Sequence, residues 1–204
     1  MTGILTVIVG AWFLGALAGG MANVFLAPPS QPPLALLIAV VGPVLVFALL
    51  YRTWPRFCHF VLAIDLRWLT AVQGWRVLGG LFLALYAFGL LPGLFAWPAG
   101  AGDMAVGLAA PFVLLAILRR SPTWRRQVLW LNVAGLVDFA GAVGTGVLTS
   151  ASSLGLGGDV AARAQMGALP LSLIPTFAVP LWTVFHAISL LQLRRITAPG
   201  ASAA

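Results

Sequence analysis

The chain has 204 residues, 61% of them hydrophobic and only 7% charged, with a mean hydropathy of +1.05. Soluble domains carry about 25% charged residues, so the composition excludes a water-facing surface and implies one that faces lipid tails. The net charge of +7 comes from arginines gathered in short segments between apolar runs, which marks them as topology signals and excludes nucleic acid as a partner.

Six apolar runs fill the sequence, each long enough for a bilayer crossing of about 20 residues. The first covers about residues 4–26 and ends at the breaker Ala27-Pro28-Pro29-Ser30-Gln31-Pro32-Pro33. Ala16-Leu17-Ala18 resembles a signal-peptide cleavage site, but no basic residue precedes the apolar core, so this span is expected to be retained. The second covers about residues 34–50. A connector, residues 51–67, carries Arg52, Arg56, Asp65 and Arg67 among Trp54, Phe57 and Phe60, and reads as either an interfacial helix or a basic loop. His59 and Cys58 in this connector read as interfacial side chains, not ligands.

The third span covers about residues 68–91 and is followed by a short aromatic turn at 94–98. The fourth covers about 99–118, and the loop after it holds Arg119, Arg120, Arg125 and Arg126. The fifth covers about 127–149, a Ser/Gly-rich loop follows, and the sixth covers about 170–193. Arg194 and Arg195 close it, and residues 198–204 are expected to be a disordered tail. Arginines fall after spans two, four and six, while Arg163, beside Asp159, is alone in the other loops. The positive-inside rule then puts both termini in the cytoplasm. The expected architecture is all-α: a polytopic integral membrane protein, with one six-helix bundle over residues 1–197. The arginine-only, Ala/Gly/Leu-rich composition points to a bacterium with a GC-rich genome, hence its cytoplasmic membrane.

Ionisable side chains within such spans are costly and mark sites. In the third span Gln73, Arg76, Gly80, Ala84 and Ala87 share a stripe, whose small residues are expected to face the bundle interior. Arg76 lies about 10–15 Å along the axis from the basic boundary. In the fifth, Gly135, Asp138, Ala142, Gly146 and Thr149 share a stripe edged by Asn132. Asp138 lies about 15–18 Å from the Arg126 boundary, too deep to reach water by extending. In the sixth, Ser172, Pro175, Val179, Thr183 and His186 align, with His186 about 12 Å from Arg194. Pro170, Pro175 and Pro180 are expected to break this helix, by packing or around a cavity.

The binding or relay candidates are therefore Asp138, Arg76, His186, Gln73 and Asn132, with Arg76 and Asp138 as an ion pair. Replacing Asp138 by alanine is expected to leave Arg76 buried and uncompensated. Asp103 reads first as a helix cap at the start of the fourth span, with an outer vestibule as its other role. One cysteine and two histidines give no ground for a metal site, and no catalytic or cofactor motif appears, so the cofactor is left unknown. Three functional classes fit: a small transporter or channel, a membrane-complex subunit or scaffold with a structural polar core, and an intramembrane enzyme acting on a lipid or apolar substrate. The expected partners are the lipid bilayer, a small molecule or ion, and a second copy or a membrane complex.

Overall fold

A computed structural model describes residues 2–28, 31, 33–150 and 165–197. The tail 198–204, Asp159 and Arg163 lie outside the described residues, as does the side chain of Thr149. Among the described residues all regular structure is helical. The helices are α1 (Thr2–Met21), α2 (Leu34–Thr53), α3 (Pro55–Leu62), α4 (Leu66–Ala71), α5 (Gly80–Ala87), α6 (Gly93–Leu118), α7 (Trp124–Ser150) and α8 (Val179–Thr197). A 3-10 helix, Val72–Gly79, joins α4 to α5, and a π-helical turn, Ile174–Ala178, leads into α8. Six helical segments are long and apolar enough to cross a membrane.

The basic connector is the short helix α3. Its Phe57 and Val61 are buried and its Arg56 and His59 exposed, so one face packs and the other carries charge. Its last carbonyls have no partner within the helix. Gln192 on α8 meets that need, its amide donating to the carbonyls of Val61, Leu62 and Ile64 at 3.4, 3.3 and 2.7 Å. Asp65 caps α4 by accepting from the Arg67 amide at 2.8 Å. The Arg67 side chain, bonded to the same carboxylate, holds Asp65 below the usual carboxylate range.

The third span differs from the unbroken helix expected. Gly74, Gly79 and Gly80 weaken the α-helical preference there, and residues 72–79 wind as a 3-10 helix. Three residues per turn instead of 3.6 rotates the stripe by about 20° per residue, about 160° across the segment. Gln73 and Arg76 stay buried, while Ala84 and Ala87 turn to the exposed surface. The small-residue contact face lies instead on α6, where Ala96, Ala99, Gly100, Gly107 and Ala110 are buried. A Cβ on Gly107 would run into the backbone of Arg76 and Val77, so only glycine admits this close approach.

The expected aromatic turn at 94–98 is also helical, since α6 begins at Gly93. Pro98, the sixth residue of α6, cannot donate to the Leu94 carbonyl, so the helix runs on with that one bond missing. At the other break, Pro180 cannot donate to the Thr176 carbonyl four residues earlier. Trp12 of α1 donates its indole N–H to that carbonyl at 3.1 Å, and Phe177 packs edge-on against Trp12 and Phe13.

Three apolar clusters hold the ends. Phe82, Leu91, Phe95, Ala96 and Ala99 form one. At the arginine-rich end, Val106, Val113, Val128, Leu131 and Leu193 form a second, and Phe47, Phe57, Val61, Leu69 and Ile188 a third. The polar residues lie between these ends.

Candidate functional site

Arg76 sits on the 3-10 helix with its side chain 3% exposed. Its guanidinium addresses three elements at once. Nε donates to Asp103 Oδ1 on α6 at 2.7 Å, Nη1 to His186 Nε2 on α8 at 2.9 Å, and Nη2 to Asp138 Oδ2 on α7. Its Cζ lies 3.9 Å from the centroid of the Phe139 ring, so an aromatic face covers the cation.

The hydrogen bonds dictate the histidine tautomer. A guanidinium has no acceptor, so His186 Nε2 accepts from it and the ring proton resides on Nδ1. Nδ1 then donates to Asn132 Oδ1 at 2.8 Å, and Asn132 Nδ2 donates to the Val128 carbonyl at 2.7 Å. His186 is fully buried and Asn132 nearly so. The chain from Arg76 to Val128 thus has each partner satisfied in one direction.

Glycine makes the assembly fit. A Cβ on Gly135 would overlap the His186 ring and the Arg76 guanidinium. Cβ atoms on Gly102 and Gly79 would strike the carboxyls of Asp138 and Asp103. Larger residues at these three positions would push the charges apart.

Arg76, Asp138, His186 and Asn132 therefore come together, and the Arg76–Asp138 pair is present. Gln73 is buried one turn away, with its amide 3.4 Å from the Leu69 carbonyl and its Oε1 without a hydrogen-bond partner among the described residues. It does not bond to the cluster. Asp103 departs from the reading as a cap. It lies ten residues beyond the first residue of α6, in the helix interior, and is a direct partner of Arg76. The sequence pattern puts the helix start near residue 99; α6 begins instead at Gly93, which leaves Asp103 beyond the first turn. A signal for this was available, because residues 96, 99, 103, 107 and 110 recur at spacings of three and four on the small-residue face.

The second carboxylate changes the electrostatics. One guanidinium faces two carboxylates, so removing Asp138 alone does not strand Arg76. Instead the intact cluster holds one carboxylate more than it has cations. Among the described residues no group of three His, Cys, Asp or Glu side chains is placed to hold a metal ion.

A cavity of about 100 Å³ reaches this cluster from the end opposite the arginine-rich loops. Phe25, Phe82, Phe95, Phe139 and Val143 are among its walls, and Asp103 is the only charged side chain lining it among the described residues. A second, shallower groove runs between α6 and α7 toward Arg126.

Residues 33–194 match one family model, described as Domain of unknown function (DUF8737). No curated protein and no solved structure matches the chain.

Proposed function

The chain belongs to the DUF8737 family, and for it we propose a small membrane transporter in which the Arg76–Asp103–Asp138–His186 cluster is the switch point between the two membrane faces. The proposal places it in a bacterial cytoplasmic membrane with both termini inside. The alternation of arginine-rich and arginine-poor loops supports that orientation. The observation that carries transport is the cavity ending on Asp103, since a carboxylate that lines a cavity and is bonded to a buried arginine joins that cavity to the centre. On the side of His186 away from the cavity, Ile188 and Ser189 are buried, which supports a seal toward the arginine-rich end. A site reachable from one face and sealed from the other is one of the two states an alternating-access carrier needs. The 3-10 segment and the π-turn place irregular backbone at the two elements that would move.

The test uses single cysteines in a Cys58→Ser background. Val143→Cys, in the cavity wall, is expected to react with a membrane-impermeant maleimide from the cavity face. Ser189→Cys, buried beyond His186, is expected to become reactive from the arginine face when the cavity side is acidified. Protection of Ser189→Cys under every imposed gradient would exclude alternating access. A structural polar core is the second reading, favoured by the continuous buried chain from Arg76 through His186 and Asn132 to the Val128 carbonyl.

A further inference from the structure

The cavity and the charge count of its floor together define an occupant. Its walls are apolar, with four phenylalanines, Phe25, Phe82, Phe95 and Phe139. Its single charged lining residue among the described ones is Asp103. Behind it, Arg76 is shared with Asp138, and the Arg76 side chain is 3% exposed against 16% for Asp103. The cation is therefore shielded by the carboxylates, and what the cavity presents is the excess negative charge. Such a charge in low-dielectric surroundings is costly unless a proton or another cation neutralises it. Among the described residues, the groups facing it are Arg76 from the 3-10 helix, Asp103 from α6, Asp138 from α7 and His186 from α8.

We propose that this cavity binds a monovalent organic cation with an apolar body, its positive centre beside Asp103 and its apolar part among the phenylalanine rings. Charge complementarity selects the cation: with it bound, two positive groups face two carboxylates and the cluster is neutral. Aromatic rings favour a weakly hydrated ammonium over a small metal ion, because their faces attract cations and the walls offer few oxygens to replace a hydration shell. When the site is empty, a proton on the carboxylate pair supplies the same neutralisation, so cation and proton exclude one another. This deepens the transport reading by naming its substrate class and its exchange partner.

The probe is tetramethylammonium, small enough for a cavity of about 100 Å³, set against neopentane, its neutral isostere with carbon in place of nitrogen. Binding to the purified full chain in nanodiscs is measured by titration calorimetry in buffers of different ionisation enthalpy. Saturable binding of the cation is expected, with release of about one proton per cation and an affinity falling about tenfold per pH unit on the acidic side of the site's titration. The neutral isostere is expected to bind at least tenfold more weakly. Asp103→Asn leaves Arg76 paired with Asp138 alone, a neutral arrangement, so that variant is expected to fold and to lose at least tenfold in cation affinity. Equal binding of the isostere would overturn the proposal and mark the cavity as a purely apolar site. So would undiminished affinity in Asp103→Asn, or cation binding without proton release. The isostere comparison needs no variant, so it decides even if Asp103→Asn does not fold. Failure here combined with Ser189→Cys labelling from both states would leave transport standing with another substrate. Cation binding with Ser189→Cys always protected would leave a binding protein that does not transport.

Discussion

The two outer spans and the four inner ones are held in place by different forces. Within the spans formed by α1 and α2, only 11% and 6% of the most apolar window is buried, against 28–33% in the other four. The outer pair is apolar, and most of its side chains lie on the outer surface. In a bilayer there is no hydrophobic gain from moving such a helix inward. The helix α1 is held instead by specific contacts, such as the Trp12 indole bonded to a carbonyl that Pro180 leaves free. The inner spans are sorted by polar groups that lipid would not tolerate and by glycines that let backbones meet. Charge and small side chains decide the interior here, and apolar content decides only that a helix is suited to cross a membrane.

This contrast can be broken most severely at Arg76. Arg76→Leu leaves Asp103 and Asp138 facing each other without a cation, and is expected to cost about 3–5 kcal/mol. Thermal unfolding in detergent would read this as a large loss of melting temperature or of folded yield. Adding Asp103→Asn and Asp138→Asn to that variant is expected to recover most of the loss, since the unpaired charges are gone. A triple variant as unstable as Arg76→Leu would show that packing, not charge, holds the inner spans.

A smaller effect is expected at Gly135. Gly135→Ala drives a methyl group into the His186 ring and the Arg76 guanidinium, and overpacking of this kind costs about 1–3 kcal/mol. The same change at Gly141, whose Cβ would meet nothing within 4 Å, is the matched control and is expected to be neutral or stabilising in the same melt.

Smaller again is Trp12→Phe, which keeps an aromatic ring but removes the indole N–H and its bond to the Thr176 carbonyl. The expected cost is about 1 kcal/mol, with cation affinity at the central cavity unchanged by the same calorimetry. A loss approaching that of Arg76→Leu would erase the distinction between outer and inner spans.

The mildest is Asp65→Ala at the α4 cap, worth up to about 1 kcal/mol. Because Arg67 lowers the folded-state pKa of Asp65, its contribution is present above the unfolded value of about pH 4 and fades as pH falls through the lower folded value. The difference in melting temperature between the two proteins should therefore shrink on acidification below about pH 4. A constant gap would mean that the carboxylate's charge has no part in the cap.

Much of the centre is legible along the chain because polar residues stand out against an apolar background. Arg76, Asp138, Asn132 and His186 each lie deep in an apolar run, and they do meet. Asp103 was harder to place, since Pro92, Gly93 and Pro98 resemble a turn that would put the acid at a helix start. Its role depends on α6 running through Pro98, and the packing of Ala96 and Ala99 with Phe82 and Leu91 in one buried cluster supports those first turns. Ala84 and Ala87 failed for a related reason. A periodicity of 3.6 assumes an unbroken α-helix, and a local change of pitch eight residues long is invisible in the spacing of side chains.

Composition and hydropathy alone determined that this is a chain of six membrane-length helices, and which of them carry charge, because burying an ion in lipid is so unfavourable that its presence is itself information. Only the tertiary structure decided how those charges pair, two carboxylates to one guanidinium. That ratio arises from two helices, α6 and α7, closing on a 3-10 turn, and the pairing of residues on different helices is not written in the order of residues along any one of them.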